Sequence, residues 1–148
     1  MQEPSAPTTW HVALPHGATA VPIARAMVRT ALQDLRATAD RTTAQLLTAE
    51  LVANALKHAR ATTPVELVVR TSPAGCRVEV HDGDPALVEG LGAPDPDPVS
   101  LDTGPRRIDG RRGLLLVRSL SSASGCRPTK GGKAVWFTLP EMPRVRRR

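Results

Sequence analysis

A ten-residue segment, residues 50–59, carries the side chains that are best suited to chemistry. Its sequence, ELVANALKHA, is rich in strong helix formers and contains no glycine or proline, which predicts a helix. Glu50 and Asn54 are four residues apart, so they project from the same face of that helix, one turn apart. A carboxylate and an amide beside an apolar stripe are suited to bind a hard cation and to place a base near it. The alternative is that both belong to the exposed polar edge of an ordinary amphipathic helix.

The composition indicates a single globular domain. The chain has 148 residues, enough to bury a substantial core, and 41% of them are hydrophobic. Only 2% are aromatic, so the core must be built mainly from Leu, Val and Ala. No apolar run approaches the roughly 20 residues that span a bilayer, and the N-terminus lacks the pattern of a secretory signal. We therefore expect a cytoplasmic protein without a membrane segment.

Neither the basic tail nor the cysteines indicate a binding site of their own. Part of the net charge of +6 lies in residues 144–148. With no interleaved aromatic residues and no nucleic-acid motif, this tail is predicted to be solvated rather than to bind nucleic acid. Cys76 and Cys126 are far apart and lack metal-ligand spacing. We interpret them as reduced, half-buried strand residues, with a disulfide or a metal role as the alternative.

The first 60 residues show the periodicity of one strand and two helices. The predicted elements are a strand at 10–14, a helix of about 19–36 and a second helix of about 43–59. Thr19 is the expected N-cap of the first helix, with Pro22 in its first turn. The segment from Thr42 to Gln45 resembles a capping box that opens the second helix, which carries Glu50 and Asn54.

The second half of the chain is predicted to contain two hairpins separated by a long loop and a helix. The predicted elements are strands at 65–70 and 76–81 around a turn at 72–75, a loop at 86–112, a helix at 113–120, a strand or loop at 122–127, a turn at 129–132 and a strand at 135–139. A loop of that length inside a compact domain is typical of a functional lid or a disordered segment. The order of elements predicts an α+β fold, a two-layer sandwich with helices packed on one face of a mostly antiparallel sheet.

Together these segments resemble the Bergerat-type ATP-binding domain of histidine kinases, DNA gyrase, 90 kDa heat-shock chaperones and mismatch-repair ATPases. The chain is most similar to the short bacterial anti-sigma-factor serine/threonine kinases. The motifs that carry the resemblance are the helix 50–59, the strand-end Asp82, the pair Gly110 and Gly113, and Gly131-Gly132-Lys133. The predicted domain covers 9–140, between a disordered segment at 1–8 and a basic disordered tail at 141–148. A P-loop is excluded, since no Gly-x-x-x-x-Gly-Lys-Ser/Thr segment is present.

The resemblance implies a role for each motif residue. Asn54 would hold the Mg²⁺ that bridges the phosphates of ATP, Glu50 would act as general base or orient the nucleophile, and Asp82 would accept a hydrogen bond from the adenine amino group. The other implied nucleotide contacts are Lys57, His58, Gly110, Arg111, Arg112, Gly113 and Leu114. A helix N-terminus with free N–H groups and flanking arginines agrees with a phosphate site. For His58, a structural role at the helix end is the alternative.

The resemblance implies an anti-sigma factor that phosphorylates a serine of an antagonist protein, binds an RNA polymerase sigma factor and forms a homodimer. ATP and Mg²⁺ are the implied cofactors. One alternative is a nucleotide-dependent partner switch without catalysis, because Asp84 replaces a glycine that the family usually has, and Lys133-Ala134 stands where a threonine is common. The other alternative is a detached histidine-kinase-type catalytic domain that acts on a partner in trans.

Overall fold

The computed structural model describes residues 8–58, 64–88, 91 and 111–143, and for His58, Arg111 and Arg112 it describes the backbone only. The elements are β1 (Thr9–Leu14), α1 (Ala20–Asp34), α2 (Arg41–His58), β2 (Val65–Ser72), β3 (Gly75–Asp82), α3 (Arg111–Leu120), β4 (Ala123–Thr129) and β5 (Gly132–Leu139). The five strands form one sheet in the order β1-β2-β3-β5-β4, and each neighbouring pair is antiparallel. The predicted order of elements and the α+β class are both confirmed.

The helices and the sheet enclose one apolar core. α2 lies centrally among the helices, since it packs against α1, α3, β3 and β5. Aliphatic side chains fill the core with a single aromatic ring, as the composition predicts; among its fully buried members are Leu32, Leu47, Leu51, Val52, Leu67, Val69, Val78 and Phe137. The core therefore holds α2, which carries Glu50 and Asn54, directly over the middle of the sheet.

The pairing of β3 with β5 decides which side chains face the helices. In this register Val78 lies opposite Phe137, and Asp82 lies opposite Lys133. Side chains alternate between the two faces of a strand, so residues of the same parity share a face. Val78 and Phe137 belong to the core. Asp82 and Lys133 therefore project from the helix-facing side of the sheet, at its end.

The hairpin between β2 and β3 matches the sequence prediction. Ser72 pairs with Gly75, which leaves a two-residue turn. Gly75 has φ +131°, and a Cβ at this position would lie 2.1 Å from the carbonyl oxygen of Leu139. Only glycine fits this backbone conformation and this close approach.

The start of α2 corrects one prediction. The helix begins at Arg41, and its N-cap is Asp40 rather than a capping box that starts at Thr42. The carboxylate of Asp40 accepts hydrogen bonds from both the backbone N–H and the hydroxyl of Thr43. A carboxylate one residue before the helix satisfies a free N–H of the first turn and suits the positive end of the helix dipole. The hydroxyl bond of Thr43 is the main cause that lowers the pKa of Asp40.

Replacing Asp40 with alanine is expected to lower the free energy of unfolding by about 1 kcal/mol, because Thr43 loses its cap acceptor. The loss should shrink as the pH falls through the lowered pKa of Asp40, since a protonated cap no longer carries the charge. Urea unfolding of Asp40→Ala measures the loss. Asp34→Ala is the control, because Asp34 is an exposed carboxylate at the C-terminal end of α1 and is not at an N-cap. Equal stabilities of the two variants would contradict the assignment of Asp40 as the cap.

Other element boundaries differ modestly from the predictions. Thr19 stands at the N-cap position of α1, but its side chain makes no capping hydrogen bond. α3 begins at Arg111, two residues before the predicted start, and the segment predicted at 122–127 as strand or loop is a strand, β4. Most of the predicted lid, residues 1–7 and residues 144–148 lie outside the described residues. Within the predicted tail, Glu141 accepts hydrogen bonds from the backbone and the hydroxyl of Thr38.

The face of the sheet that points away from the helices carries a charged cluster around Glu79. Glu79 alternates along β3 with two valines of the core, yet it is itself only 1% exposed. His81 Nε2 lies 2.8 Å from Oε1, and Arg127 donates to both carboxylate oxygens at 3.1 and 3.2 Å. Arg70 and Arg77 lie 3.9 and 4.0 Å away. Burial raises the pKa of Glu79, but the hydrogen bonds from His81 and Arg127 and the charges of Arg127 and Arg70 outweigh it and lower the pKa to about 2.

Both cysteines lie on strands and are unpaired, as predicted. Cys76 is fully buried rather than half-buried, and burial raises the pKa of its thiol to about 12. A thiol in that state carries almost no thiolate at neutral pH, so Cys76 is a core residue and not a nucleophile.

Candidate functional site

The structure brings Glu50 and Gly113 into direct contact. Glu50 projects from α2 and is half-buried. A Cβ built on Gly113 would lie 2.1 Å from Glu50 Oε2, so the carboxylate rests against the first turn of α3, and any larger residue at this position would displace it. The N-terminal turn of a helix is the end that stabilises negative charge. The predicted general base therefore stands beside the predicted anion-binding turn.

Asn54 lies one turn beyond Glu50 on α2 and is also half-buried, while Lys57 is exposed near the end of the helix. Because α2 packs against α3 and β3, the Glu50–Asn54 face belongs to the same side of the sheet as Asp82. The residue roles themselves remain predictions.

Asp82 combines deep burial with one unsatisfied oxygen. Its side chain has 0% exposed surface. Oδ1 accepts hydrogen bonds from the backbone N–H of Asp84 at 2.8 Å and from Lys133 Nζ at 3.1 Å. Oδ2 is buried and has no hydrogen-bond partner among the described residues. A buried carboxylate oxygen without a donor costs about 1–3 kcal/mol, so the site favours an occupant that brings an N–H group.

Lys133 is a site residue that the sequence analysis did not assign a role. It is 1% exposed, and its ammonium donates to Asp82 Oδ1 and, at 3.2 Å, to the backbone carbonyl of Asp84. The strand pattern contained a signal for it. Lys133 has the same parity as the core residues Val135 and Phe137, and a lysine on a buried face requires an anionic partner.

Gly132, the first residue of β5, allows this strand to come close to the end of β3, which carries Asp82. A Cβ on Gly132 would lie 2.0 Å from the carbonyl oxygen of Asp82 and 2.6 Å from Gly83 Cα. Both obstacles are backbone atoms, so a larger residue would push the two strands apart. The glycine before Lys133 thus fixes the distance over which Lys133 reaches Asp82.

The other predicted contacts are only partly described. Leu114 is buried, so its side chain packs in the core and only its backbone is available to a ligand. The backbones of Arg111 and Arg112 form the start of α3, and that of His58 ends α2. Gly110 lies outside the described residues. These nucleotide contacts stay predictions.

The fold agrees with the comparison against known families. A family model described as a histidine kinase-like ATPase domain matches residues 14–139. The match covers most of the sequence, and the chain therefore belongs to the histidine kinase-like ATPase domain family, which confirms the predicted resemblance to the Bergerat-type ATP-binding domain; the closer similarity to anti-sigma-factor kinases stays a prediction. Membership indicates ATP binding and a regulatory role. A search of curated protein sequences finds no match to the chain. No helix in the described ranges is long and apolar enough to cross a membrane.

The residues present fit an adenine nucleotide. The unpartnered Asp82 Oδ2 is an acceptor placed for the amino group of the base. The first turn of α3 offers backbone N–H groups to phosphate oxygens. Asn54 and Glu50 could supply oxygen ligands near those phosphates, since Mg²⁺ bound to nucleotides takes only one or two protein ligands. When bound, ATP supplies a transferable phosphoryl group, and the chain supplies positioning and charge.

Proposed function

We propose that the protein is an ATP-dependent anti-sigma factor, which binds a sigma factor and phosphorylates a serine or threonine of an antagonist protein. The contact of the Glu50 carboxylate with Gly113 carries the catalytic part, because it places a base beside the turn expected to hold the phosphates. Mg²⁺ as cofactor, the cytoplasm as the place of action and a homodimer as the assembly belong to the same proposal.

The chemistry requires little more than these groups. Phosphoryl transfer depends mainly on positioning and on neutralising the charge of the phosphates. In the proposed reaction Asn54 would hold the metal ion, and the N–H groups of α3 would hold phosphate oxygens. Glu50 would take up the proton of the attacking hydroxyl or orient that hydroxyl, while the γ-phosphoryl group passes to the hydroxyl oxygen and ADP leaves. Asp82 would fix the adenine ring of the nucleotide.

A partner switch without catalysis is the second candidate function. It is favoured by the ion pair between Lys133 and Asp82, because one carboxylate oxygen of the base-reading residue is already occupied by an ammonium group. In that case nucleotide binding would control the affinity for a partner protein, and no phosphoryl group would be transferred.

One experiment separates the two functions. The full chain is incubated with Mg²⁺, ATP labelled at the γ-phosphate and a candidate antagonist, and ATP and ADP affinities are measured in parallel by calorimetry. Labelled phosphoserine or phosphothreonine on the antagonist supports the kinase. ATP binding without label supports the switch, and the absence of nucleotide binding would reject both.

Replacing Gly113 with alanine is expected to lower phosphotransfer by roughly tenfold or more, as is typical when a general base is displaced. The new Cβ would displace the flexible end of Glu50 rather than any backbone, so the fold should be retained. Initial rates and ATP affinity of Gly113→Ala are compared with those of Ser119→Ala, which changes an exposed residue of the same helix. An unchanged rate in Gly113→Ala would show that the position of Glu50 is not needed.

A further inference from the structure

We propose that Lys133 is a second base-reading residue, which donates a hydrogen bond to the ring nitrogen beside the amino group of adenine. The inference rests on the proposed nucleotide site and deepens it. It starts from two unused hydrogen-bonding groups that the structure places next to each other: a buried acceptor on Asp82 and a buried donor on Lys133.

The acceptor is Asp82 Oδ2. The other oxygen of the same carboxylate already accepts two hydrogen bonds, from Asp84 N–H and from Lys133. Oδ2 has none from any described residue, although it is fully buried. An amino group on a ligand would satisfy it.

The donor is the third N–H of Lys133. An ammonium group has three donors and no acceptor. Two of them point to acceptors within hydrogen-bond distance, Asp82 Oδ1 at 3.1 Å and the Asp84 carbonyl at 3.2 Å. A further carboxylate oxygen, Asp84 Oδ2, is 3.9 Å away, beyond a hydrogen bond. Lys133 therefore donates one N–H to the carboxylate of Asp82 and keeps another N–H available to a ligand.

This pair matches one edge of adenine. The edge we assign presents an amino donor at position 6 and, directly beside it, a ring-nitrogen acceptor at position 1. The other side of the amino group offers a similar pair through the ring nitrogen at position 7, and a 7-deaza analogue distinguishes the two. Guanine and hypoxanthine present the reverse order, an oxygen at position 6 and an N–H at position 1. In the same pose, their oxygen would face the carboxylate and their N–H would face the ammonium group. Asp82 and Lys133 together select adenine nucleotides, whereas a carboxylate alone reads only the amino group.

Lys133 could instead act only as the counter-ion of Asp82. The two roles differ in one observable. A base reader makes the affinity depend on the ring nitrogen at position 1, while a counter-ion leaves that atom without influence. An ATP analogue with carbon at this position, 1-deaza-ATP, keeps the amino group and removes only the proposed acceptor.

The test is a calorimetric titration of the full chain with ATP, 1-deaza-ATP and 7-deaza-ATP. We expect 1-deaza-ATP to bind roughly tenfold more weakly than ATP, the effect of one lost hydrogen bond to a charged donor. The control, 7-deaza-ATP, lacks a nitrogen on the other edge of the base and should bind about as ATP does. In Lys133→Met the difference between ATP and 1-deaza-ATP should disappear.

Equal binding of ATP and 1-deaza-ATP to the wild type would overturn the role of Lys133 and leave the proposed function standing. An unchanged 1-deaza penalty in a folded Lys133→Met variant would overturn it too, since another group would then read the ring nitrogen. The wild-type comparison decides the question even if Lys133→Met does not fold. Failure of every nucleotide to bind the wild type would reject the proposed function and this inference with it.

Discussion

Asp82→Ala is expected to lower the free energy of unfolding by about 3–5 kcal/mol, the usual effect of leaving one buried charge without its partner. The side chains of Lys133 and Asp82 are 2% and 0% exposed, so water cannot replace the missing carboxylate. Among the described residues, Lys133 would keep only the carbonyl of Asp84 as a hydrogen-bond acceptor. Urea unfolding at neutral pH measures the change.

The double variant Asp82→Ala/Lys133→Met is expected to recover most of that stability. Replacing both members of a buried ion pair with apolar side chains is often neutral, because the cost of removing two charges from water disappears with them. A control, Lys130→Met, removes a lysine that is exposed in the neighbouring turn and should change the stability by less than about 0.5 kcal/mol. If the effects of the two single variants simply add up, the pair is not coupled and its proposed place in the site loses support.

The sequence was sufficient to predict the architecture because strands and helices impose different periods on the same aliphatic residues. Val78 and Val80, with period two, predicted β3, and the helical spacing of Leu47 and Leu51 agrees with their burial in α2. The resemblance assigned Glu50 and Gly113 to one nucleotide site, and their contact agrees with that assignment, whereas periodicity gave no sign of it. Contacts between distant segments leave no local pattern, so only the resemblance to a known family could predict this one.

Two features of the charged residues escaped prediction for a physical reason. Glu79 alternates with Val78 and Val80, a pattern typical of a strand with one polar face, but the long side chains of its arginine neighbours cover it. Lys133 follows a turn and resembles a surface residue. Its role depends on pairing with Asp82, and the register of β3 against β5 cannot be read from either strand alone. Strand parity would have placed Asp82 and Lys133 on the core face, though it would not have paired them.

Acid should destabilise the protein partly through Glu79. Its pKa in the folded protein is about 2, whereas the ordinary value is 4.5, so the unfolded chain takes up a proton at a higher pH than the folded one. The resulting stabilisation is complete above about pH 5 and is lost as the pH falls from there towards 2. The shift corresponds to roughly 3 kcal/mol, which is a large part of the stability of a domain of this size.

Comparison with Glu79→Gln isolates this contribution from that of other carboxylates. The wild type should be more stable than Glu79→Gln by roughly 3 kcal/mol at pH 6, and the difference should vanish near pH 2. Urea unfolding at several pH values measures both proteins.

Glu66→Gln is the matched control, because Glu66 pairs with His11 at an exposed position, where a single ion pair contributes less than about 1 kcal/mol. Parallel pH profiles of the wild type and Glu79→Gln would show that Glu79 is not the group through which acid acts. The stability of Glu66→Gln could also differ from that of the wild type at pH 6 and converge with it near pH 2 by as much. The effect would then come from the general loss of negative charge and not from the buried cluster.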